Sequence, residues 1–161
     1  MIERWINIVG YYGAYQVSNL GEIRSIRRVI ANSKNIIRTI PMKILKQHDH
    51  PATFNPEKVS PYKRVELQSC GITYTMGLPV YRKAGRPKKM YVHRLVAEAF
   101  LLRPLECTIV NHINNNHADN RVTNLEWVTQ QENVQHAYEN GHNTRKRKNC
   151  QWEKIRLLHT N

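Results

Sequence analysis

Asn111, His112 and Asn133 are the side chains whose types and order could support a reaction. A neutral imidazole can take a proton from water, and amide oxygens suit a hard divalent cation that keeps several of its own waters. On this reading Asn111 and Asn133 supply two oxygens to one Mg2+ (or Mn2+), phosphate oxygens and water fill the rest of its shell, and His112 is the general base toward a water in line with a phosphorus. The cation would stabilise charge on the transition state and on the leaving oxygen. Asn124 would hydrogen-bond inside the intervening loop and fix its shape. Each residue also has a plainer role: a lone His is more often a satisfied core or surface residue, and Asn124 is a natural Asx-turn former. The setting favours chemistry.

That setting is a strand, a long loop, a strand and a helix. Thr108-Ile109-Val110 is β-branched and apolar, so a strand is predicted to deliver Asn111 and His112 at its end. Ile113 to Thr123 is an Asn-rich polar loop, Leu125-Glu126-Trp127-Val128 alternates as the returning strand, and Thr129 with Glu132 has the spacing of a capping box that opens a helix stopped at Gly141. Asn133 then lies in the first turn, facing the hairpin as Ala137 does, with its oxygen toward Asn111. Trp127 and Tyr138 are expected in the core. Upstream, a helix is predicted from His93 to about Leu102, with Leu95, Val96, Ala99 and Phe100 as its apolar stripe and Arg94 with Glu98 as an outward pair. Trp5 to Ile26 reads as a small antiparallel unit turning at Asn19-Leu20-Gly21. Further strands are expected within Ile36–Leu45, at Tyr62–Leu67, at Leu78–Arg82 and at Met90–Val92, with a loop from Gln47 to Pro61. The basic turn between Lys83 and Lys89 contains Pro87 and cannot be a central strand.

Charge indicates the partner. The 161 residues carry 25 Lys+Arg against 12 Asp+Glu, a net +13. Ile23 to His48 has Arg24, Arg27, Arg28, Lys34, Arg38, Lys43 and Lys46 and no acid, and Arg82 to Arg94 is likewise acid-free. Arg145, Lys146, Arg147 and Lys148 run together in the tail. Leu101 to Asn140 is the opposite, two basic residues against five acidic, net −3. Basic clusters of this kind suit a polyphosphate, because neutralising phosphates releases condensed counterions. Arg24, Arg27 and Arg28 are assigned to phosphates or base edges, since Arg serves both. Arg86, Lys88, Lys89, Arg145, Lys146 and Arg147 join them. Gly85-Arg86-Pro87 could place an Arg in a narrow minor groove, with a hairpin turn carrying solvated lysines as the equal alternative. No run of about 18 apolar residues is available to span a bilayer, the N-terminus lacks a secretory apolar region, and Cys70, Cys107 and Cys150 form no CxxC pair. A soluble intracellular protein with no membrane partner is expected.

Val110-Asn111-His112-Ile113-Asn114-Asn115-Asn116, Asp119-Asn120-Arg121, Asn124-Leu125-Glu126-Trp127-Val128-Thr129 and Glu132-Asn133-Val134-Gln135-His136-Ala137 resemble the HNH (ββα-metal) homing endonucleases of phage introns and free-standing phage genes. His93 to Phe100 is similar to the helix preceding their catalytic hairpin. Trp5, Ile8-Val9-Gly10-Tyr11, Tyr15 to Gly21 and Arg24-Ser25 resemble the nuclease-associated modular domain that the family often carries at its N-terminus. The resemblance implies metal-dependent hydrolysis of double-stranded DNA, with His112 as base, Asn111 and Asn133 at the metal, and Asn124 in the family's middle position. It also implies the cytoplasm of an infected host as the place of action. Asn111 and Asn114 stand where the family often has Asp, keeping an oxygen and losing a charge.

The expected architecture is α+β. A β-rich DNA-binding region spans 1–89, with the modular motif in 1–28; a ββα-metal nuclease domain spans 90–142 and a basic tail 143–161. One catalytic hairpin per chain predicts a monomer on DNA that nicks one strand. The alternative is an HNH-fold DNA-binding protein weakened or inactivated by Asn111 and Asn114.

Overall fold

Helix α1, Val92–Phe100, is apolar around most of its girth: Val92, Leu95, Val96 and Ala97 are buried, and Ala99 and Phe100 are packed against them. The stripe read from sequence therefore widens onto Val92 and Ala97. Such a helix needs cover on more than one side, and the chain supplies it from its N-terminal strands and from the strand–loop–strand unit. Arg94 and Glu98 stay outside as an i,i+4 pair at 4.0 Å.

A computed structural model describes residues 2–31, 34, 36–51, 59–75 and 78–139. In chain order its strands are β1 (Trp5–Asn7), β2 (Tyr15–Ser18), β3 (Ile23–Ser25), β4 (Arg28–Ala31), β5 (Ile37–Ile40), β6 (Lys43–Ile44), β7 (His48–Pro51), β8 (Val59–Leu67), β9 (Cys70–Thr75), β10 (Leu78–Lys83), β11 (Lys88–Tyr91), β12 (Ile109–His112) and β13 (Leu125–Val128). A 3₁₀ turn, Val122–Asn124, precedes β13, and helix α2, Gln130–Glu139, follows it. The strands pair in the orders β1-β2-β3-β6, β5-β4-β10-β9, β11-β8-β7 and β12-β13. All neighbours are antiparallel except β4 and β10. The architecture is α+β. No described helix is long and apolar enough to cross a membrane.

One apolar cluster runs through these units. Ala14 just before β2, Val17 and Ile23 from the first sheet, Val65 and Leu67 from β8, the buried face of α1, and Val110, Leu125 and Trp127 from the last hairpin belong to it. Cys70 and Cys107 are buried in it as free thiols.

Several elements depart from the sequence expectation. Residues 48–51, expected in a loop, form β7: His48-Asp49-His50 has little strand propensity, and pairing with β8, reinforced by Lys63 on Asp49 at 2.6 Å, overrides it. Strand β9 went unpredicted and pairs along its whole length with β10. The basic turn is not a hairpin. β10 and β11 belong to different sheets, so Ala84 to Pro87 crosses between them, with Gly85 at φ +72 and its carbonyl held by Gln68 Nε2 at 2.9 Å. Tyr138, expected in the core, is 46% exposed. Gly141 and residues 145–148 lie outside the described residues.

Candidate active site

The β-branched run ends at the edge of the hairpin. Ile109 and Val110 pair with Val128 and Trp127, and Asn111 and His112 with Glu126 and Leu125. The loop that follows has no ladder to satisfy its backbone, and asparagines do this instead. Asn114 N–H donates to Asn124 Oδ1 at 3.0 Å, and Asn124 Nδ2 donates to the Asp119 carbonyl at 2.8 Å. Asn114 and Asn116 accept from the N–H groups of Asn116 and Ala118. Asn115 takes φ +59, a region Asn tolerates. Arg121 closes the loop with a two-pronged grip on Asp119, 2.8 and 2.7 Å, which holds that carboxyl down at about 2.

His112 is 1% exposed. Its ring stands edge-on to His93 and His117, each 5.2 Å away between centroids, and 6.0 Å from Tyr62, which stacks on His117 at 4.4 Å. Its Nε2 lies 3.1 Å from Asn120 Oδ1. With Asn120 assigned so that its Nδ2 faces the Ala118 carbonyl, Oδ1 only accepts, so Nε2 carries the hydrogen and Nδ1 keeps the lone pair. Burial pushes the imidazole pKa below its ordinary value, while the Asn120 hydrogen bond and the Asp119 charge pull it back. A neutral ring at pH 7 is the state a base requires.

Asn111 is buried, and its Nδ2 donates to Glu126 Oε1 at 2.9 Å. That bond fixes the amide and leaves Oδ1 as the acceptor end. Helix α2 is capped by Thr129, whose N–H and hydroxyl both donate to Glu132 Oε2, at 2.8 and 2.9 Å, while Glu132 N–H donates back to the Thr129 hydroxyl at 3.3 Å. The cap sets α2 against β12 and β13 with Asn133 half-buried in its first turn. The Asn111 amide beside the Glu126 carboxylate offers hard oxygen donors, the kind that suit a divalent cation that retains water. Among the described residues no group of three or more His, Cys, Asp or Glu is arranged for a metal.

Comparison with known proteins meets this geometry at both ends of the chain. Residues 90–135 match the HNH endonuclease family model, and residues 3–54 match the NUMOD4 motif. The chain is 33% identical over 137 residues to the DNA endonuclease I-HmuI of Bacillus phage SP01, covering 85% of this chain and 59% of that one. The solved structure of the HNH homing endonuclease I-HmuI, described for DNA binding and cleavage, superposes with a TM-score of 0.54 at 29% identity over 96% of this chain and 65% of that one. An HNH endonuclease of Acanthamoeba polyphaga mimivirus is 55% identical over 51 residues, 30% of this chain and 13% of its own length.

The chain carries an HNH endonuclease domain behind a NUMOD4 motif. It spans about three fifths of the length of the phage relative. Its HNH domain contains α1, β12, the Asn-rich loop, β13 and the start of α2, and its NUMOD4 motif contains β1 to β7.

Two residues of the HNH domain were not singled out by sequence reasoning. Asn120, which holds the His112 ring, was visible only as one letter of Asp119-Asn120-Arg121. Glu126 was readable in principle, since it stands opposite Asn111 if the hairpin register is known. His93 is buried, with Nδ1 lacking a hydrogen-bond partner. Burial, helped by His112, Arg94 and His117, pushes its pKa down to about 3.

The basic residues divide by environment. Arg24 sits over Trp5, its guanidinium carbon 4.1 Å from the ring centroid, with Nε and Nη2 donating to Gln16 Oε1 at 2.9 and 2.7 Å. Arg27, Arg86, Lys88 and Lys89 are exposed. Arg28 turns inward: Nη1 donates to the Ala14 and Ile26 carbonyls at 3.0 and 3.1 Å, and the guanidinium covers Tyr15. These partners give Arg28 a role within the fold. Arg145, Lys146 and Arg147 lie outside the described residues.

Proposed function

We propose that this chain is a divalent-metal-dependent DNA endonuclease that nicks one strand of a duplex, acting as a monomer on DNA inside the cell. The observation that carries the reading is the state of His112. It is buried at a strand end, neutral, and held through Nε2 by Asn120, so that Nδ1 is its basic nitrogen. In the reaction Nδ1 of His112 takes a proton from water while the water oxygen bonds to phosphorus. The bond from phosphorus to the leaving oxygen breaks, and that oxygen takes a proton from solvent. Asn111 and Asn133 would hold the cation through their amide oxygens, with Mg2+ the ion that best suits a watery oxygen shell. When bound, the ion would offset negative charge on the phosphoryl and leaving oxygens. Glu126 orients Asn111, and Asn124 keeps the loop closed over the hairpin.

Residues 1–89 would grip the duplex while 90–142 cut it, with 143–161 as a further basic contact. Arg24, Arg27, Arg86, Lys88, Lys89, Arg145, Lys146 and Arg147 supply the phosphate charge. The similarity to a DNA endonuclease over most of this chain supports the reading. Supercoiled plasmid carrying the target, incubated with Mg2+ or with chelator, tests it. Chelator-sensitive nicked circles are expected from the wild-type chain, and DNA binding without nicking from His112→Ala. A His112→Ala chain that nicks at the wild-type rate removes His112 as base.

A further inference from the structure

The loop Asn19-Leu20-Gly21 of the N-terminal hairpin touches the cutting centre directly. Gly21 has φ +90, and a Cβ built there would lie 3.0 Å from Asn120 Cβ, 3.1 Å from the Asn120 carbonyl oxygen and 3.2 Å from its carbonyl carbon. A side chain here is strained twice over: the left-handed φ disfavours it, and Asn120 would have to give by a few tenths of an ångström. The next contact is also direct, with Val122 N–H donating to the Asn19 carbonyl at 2.9 Å. Residues on both sides of Arg121 are therefore seated on one N-terminal loop.

That loop is held firmly from behind. Asn19, 1% exposed, accepts from Arg4 N–H at 2.7 Å and donates to the Ile2 carbonyl at 3.2 Å. Ser18 Oγ accepts from the N–H groups of Leu20 and Glu22. Gln47 Nε2 donates to the Gly21 carbonyl at 2.8 Å. Asn120 is less well fixed by its own loop, since its Nδ2 reaches the Ala118 carbonyl only at 3.5 Å, the outer limit of a hydrogen bond. What places Asn120 is the surface behind it.

We propose that Asn19-Leu20-Gly21 is a positioning element of the catalytic centre: Gly21 seats Asn120, and Asn120 sets the tautomer and plane of the His112 ring. The inference rests on His112 being the base. It makes the NUMOD4 motif part of the cutting machinery as well as a grip on DNA. A side chain at Gly21 would push Asn120 back by a few tenths of an ångström, a sizeable part of the roughly 0.5 Å within which a working constellation must be held.

The test uses the full chain with Gly21→Ala, Asn120→Ala and the double variant. Single-turnover nicking at saturating enzyme is read beside DNA affinity by gel shift, and the His112 ring nitrogens are read by nitrogen NMR on the free protein. Gly21→Ala and Asn120→Ala are each expected to slow nicking on the order of 10- to 100-fold, the range for loss of a partner that orients a functional imidazole. DNA affinity stays within about two-fold, since neither residue brings charge to phosphate. In the NMR spectrum the single Nε2–H tautomer of the wild type gives way to a mixture in both variants. The double variant is no slower than Asn120→Ala alone, because Gly21 acts through Asn120.

A wild-type tautomer in Gly21→Ala, a wild-type nicking rate, or losses that multiply in the double variant would each overturn the proposal. Should Gly21→Ala not fold, Gln47→Met frees the loop from behind without adding bulk against Asn120, and the same outcomes decide. If the wild-type chain does not nick at all, the function reading fails, while the tautomer still reports whether Gly21 positions His112.

Discussion

Acid should weaken this protein through His93, and the size of the effect follows from its surroundings. The ring is 8% exposed among Tyr62, Tyr91 and His112, its Nδ1 has no hydrogen-bond partner, and its pKa is pushed down to about 3 from 6.5. A depressed folded-state value means that the unfolded chain binds the proton first as pH falls. Stability is thus intact above the unfolded pKa and drops steadily below it. Between about pH 7.5 and about pH 5 this single group costs about 2 kcal/mol, from the ratio of proton binding in the two states at about 1.4 kcal/mol per pH unit. His112, whose pKa is also lowered, adds in the same direction. With a urea slope of about 2 kcal/mol per molar, the loss moves the unfolding midpoint by about 1 M. The comparison is His93→Phe, which keeps an aromatic ring in the cluster and cannot titrate. Whatever the swap costs in packing cancels when each protein is compared with itself at the two pH values. The wild type should lose about 2 kcal/mol more than His93→Phe on acidification. Equal losses would show that His93 does not enter the fold as a buried neutral ring.

Asn111→Asp should tighten metal binding, read as a lower Mg2+ midpoint for nicking. Without metal it should destabilise the chain by about 1 kcal/mol or more, because a second carboxylate then faces Glu126 in place of a donated hydrogen bond; an unchanged Mg2+ titration would remove Asn111 from the metal. Lys88→Ala with Lys89→Ala should weaken DNA binding and flatten the plot of log affinity against log salt by about 0.9 per lost phosphate contact, and an unchanged slope would take β11 off the DNA. Arg24→Ala and Arg28→Ala should separate. The first lowers DNA affinity and also gives up its hydrogen bonds to Gln16 and its place over Trp5, whereas the second costs about 1–3 kcal/mol in urea melts by removing the Ile26 carbonyl's Arg28 donor and leaving the Ala14 carbonyl with the Ile26 N–H alone; equal losses of DNA affinity would refute the division.

What could be read from sequence was local. The β-branched run before His112, the Thr129–Glu132 cap and the apolar face of α1 are set by residues within one or two turns of each other, and each appears where its pattern predicts. Strand β7 was illegible because its residues have no strand preference of their own and are strands only because β8 lies beside them. Arg28 looked like its neighbours Arg24 and Arg27 until burial separated it, since charge is visible in a sequence and carbonyl partners are not. The same holds in the centre. Asn124's loop bonds span ten residues or fewer, but Asn120 depends on Gly21, which is far away in the chain.

The apolar cluster shared by the first sheet, β8, α1 and the last hairpin bears on how such chains can be recombined. A two-stranded hairpin is marginal alone in water, and β12-β13 owes its solidity to Trp127 and Leu125 packing into that common cluster. Grafting the HNH segment onto a foreign grip would carry the cutting residues across and leave half of their foundation behind. Chimaeras with the crossover near residue 90 should express as aggregates unless donor and recipient share the residues at Val17, Ile23 and Leu67. Those that keep the cluster whole should fold, so the N-terminal strands and the HNH segment are expected to work only when they are exchanged as one unit.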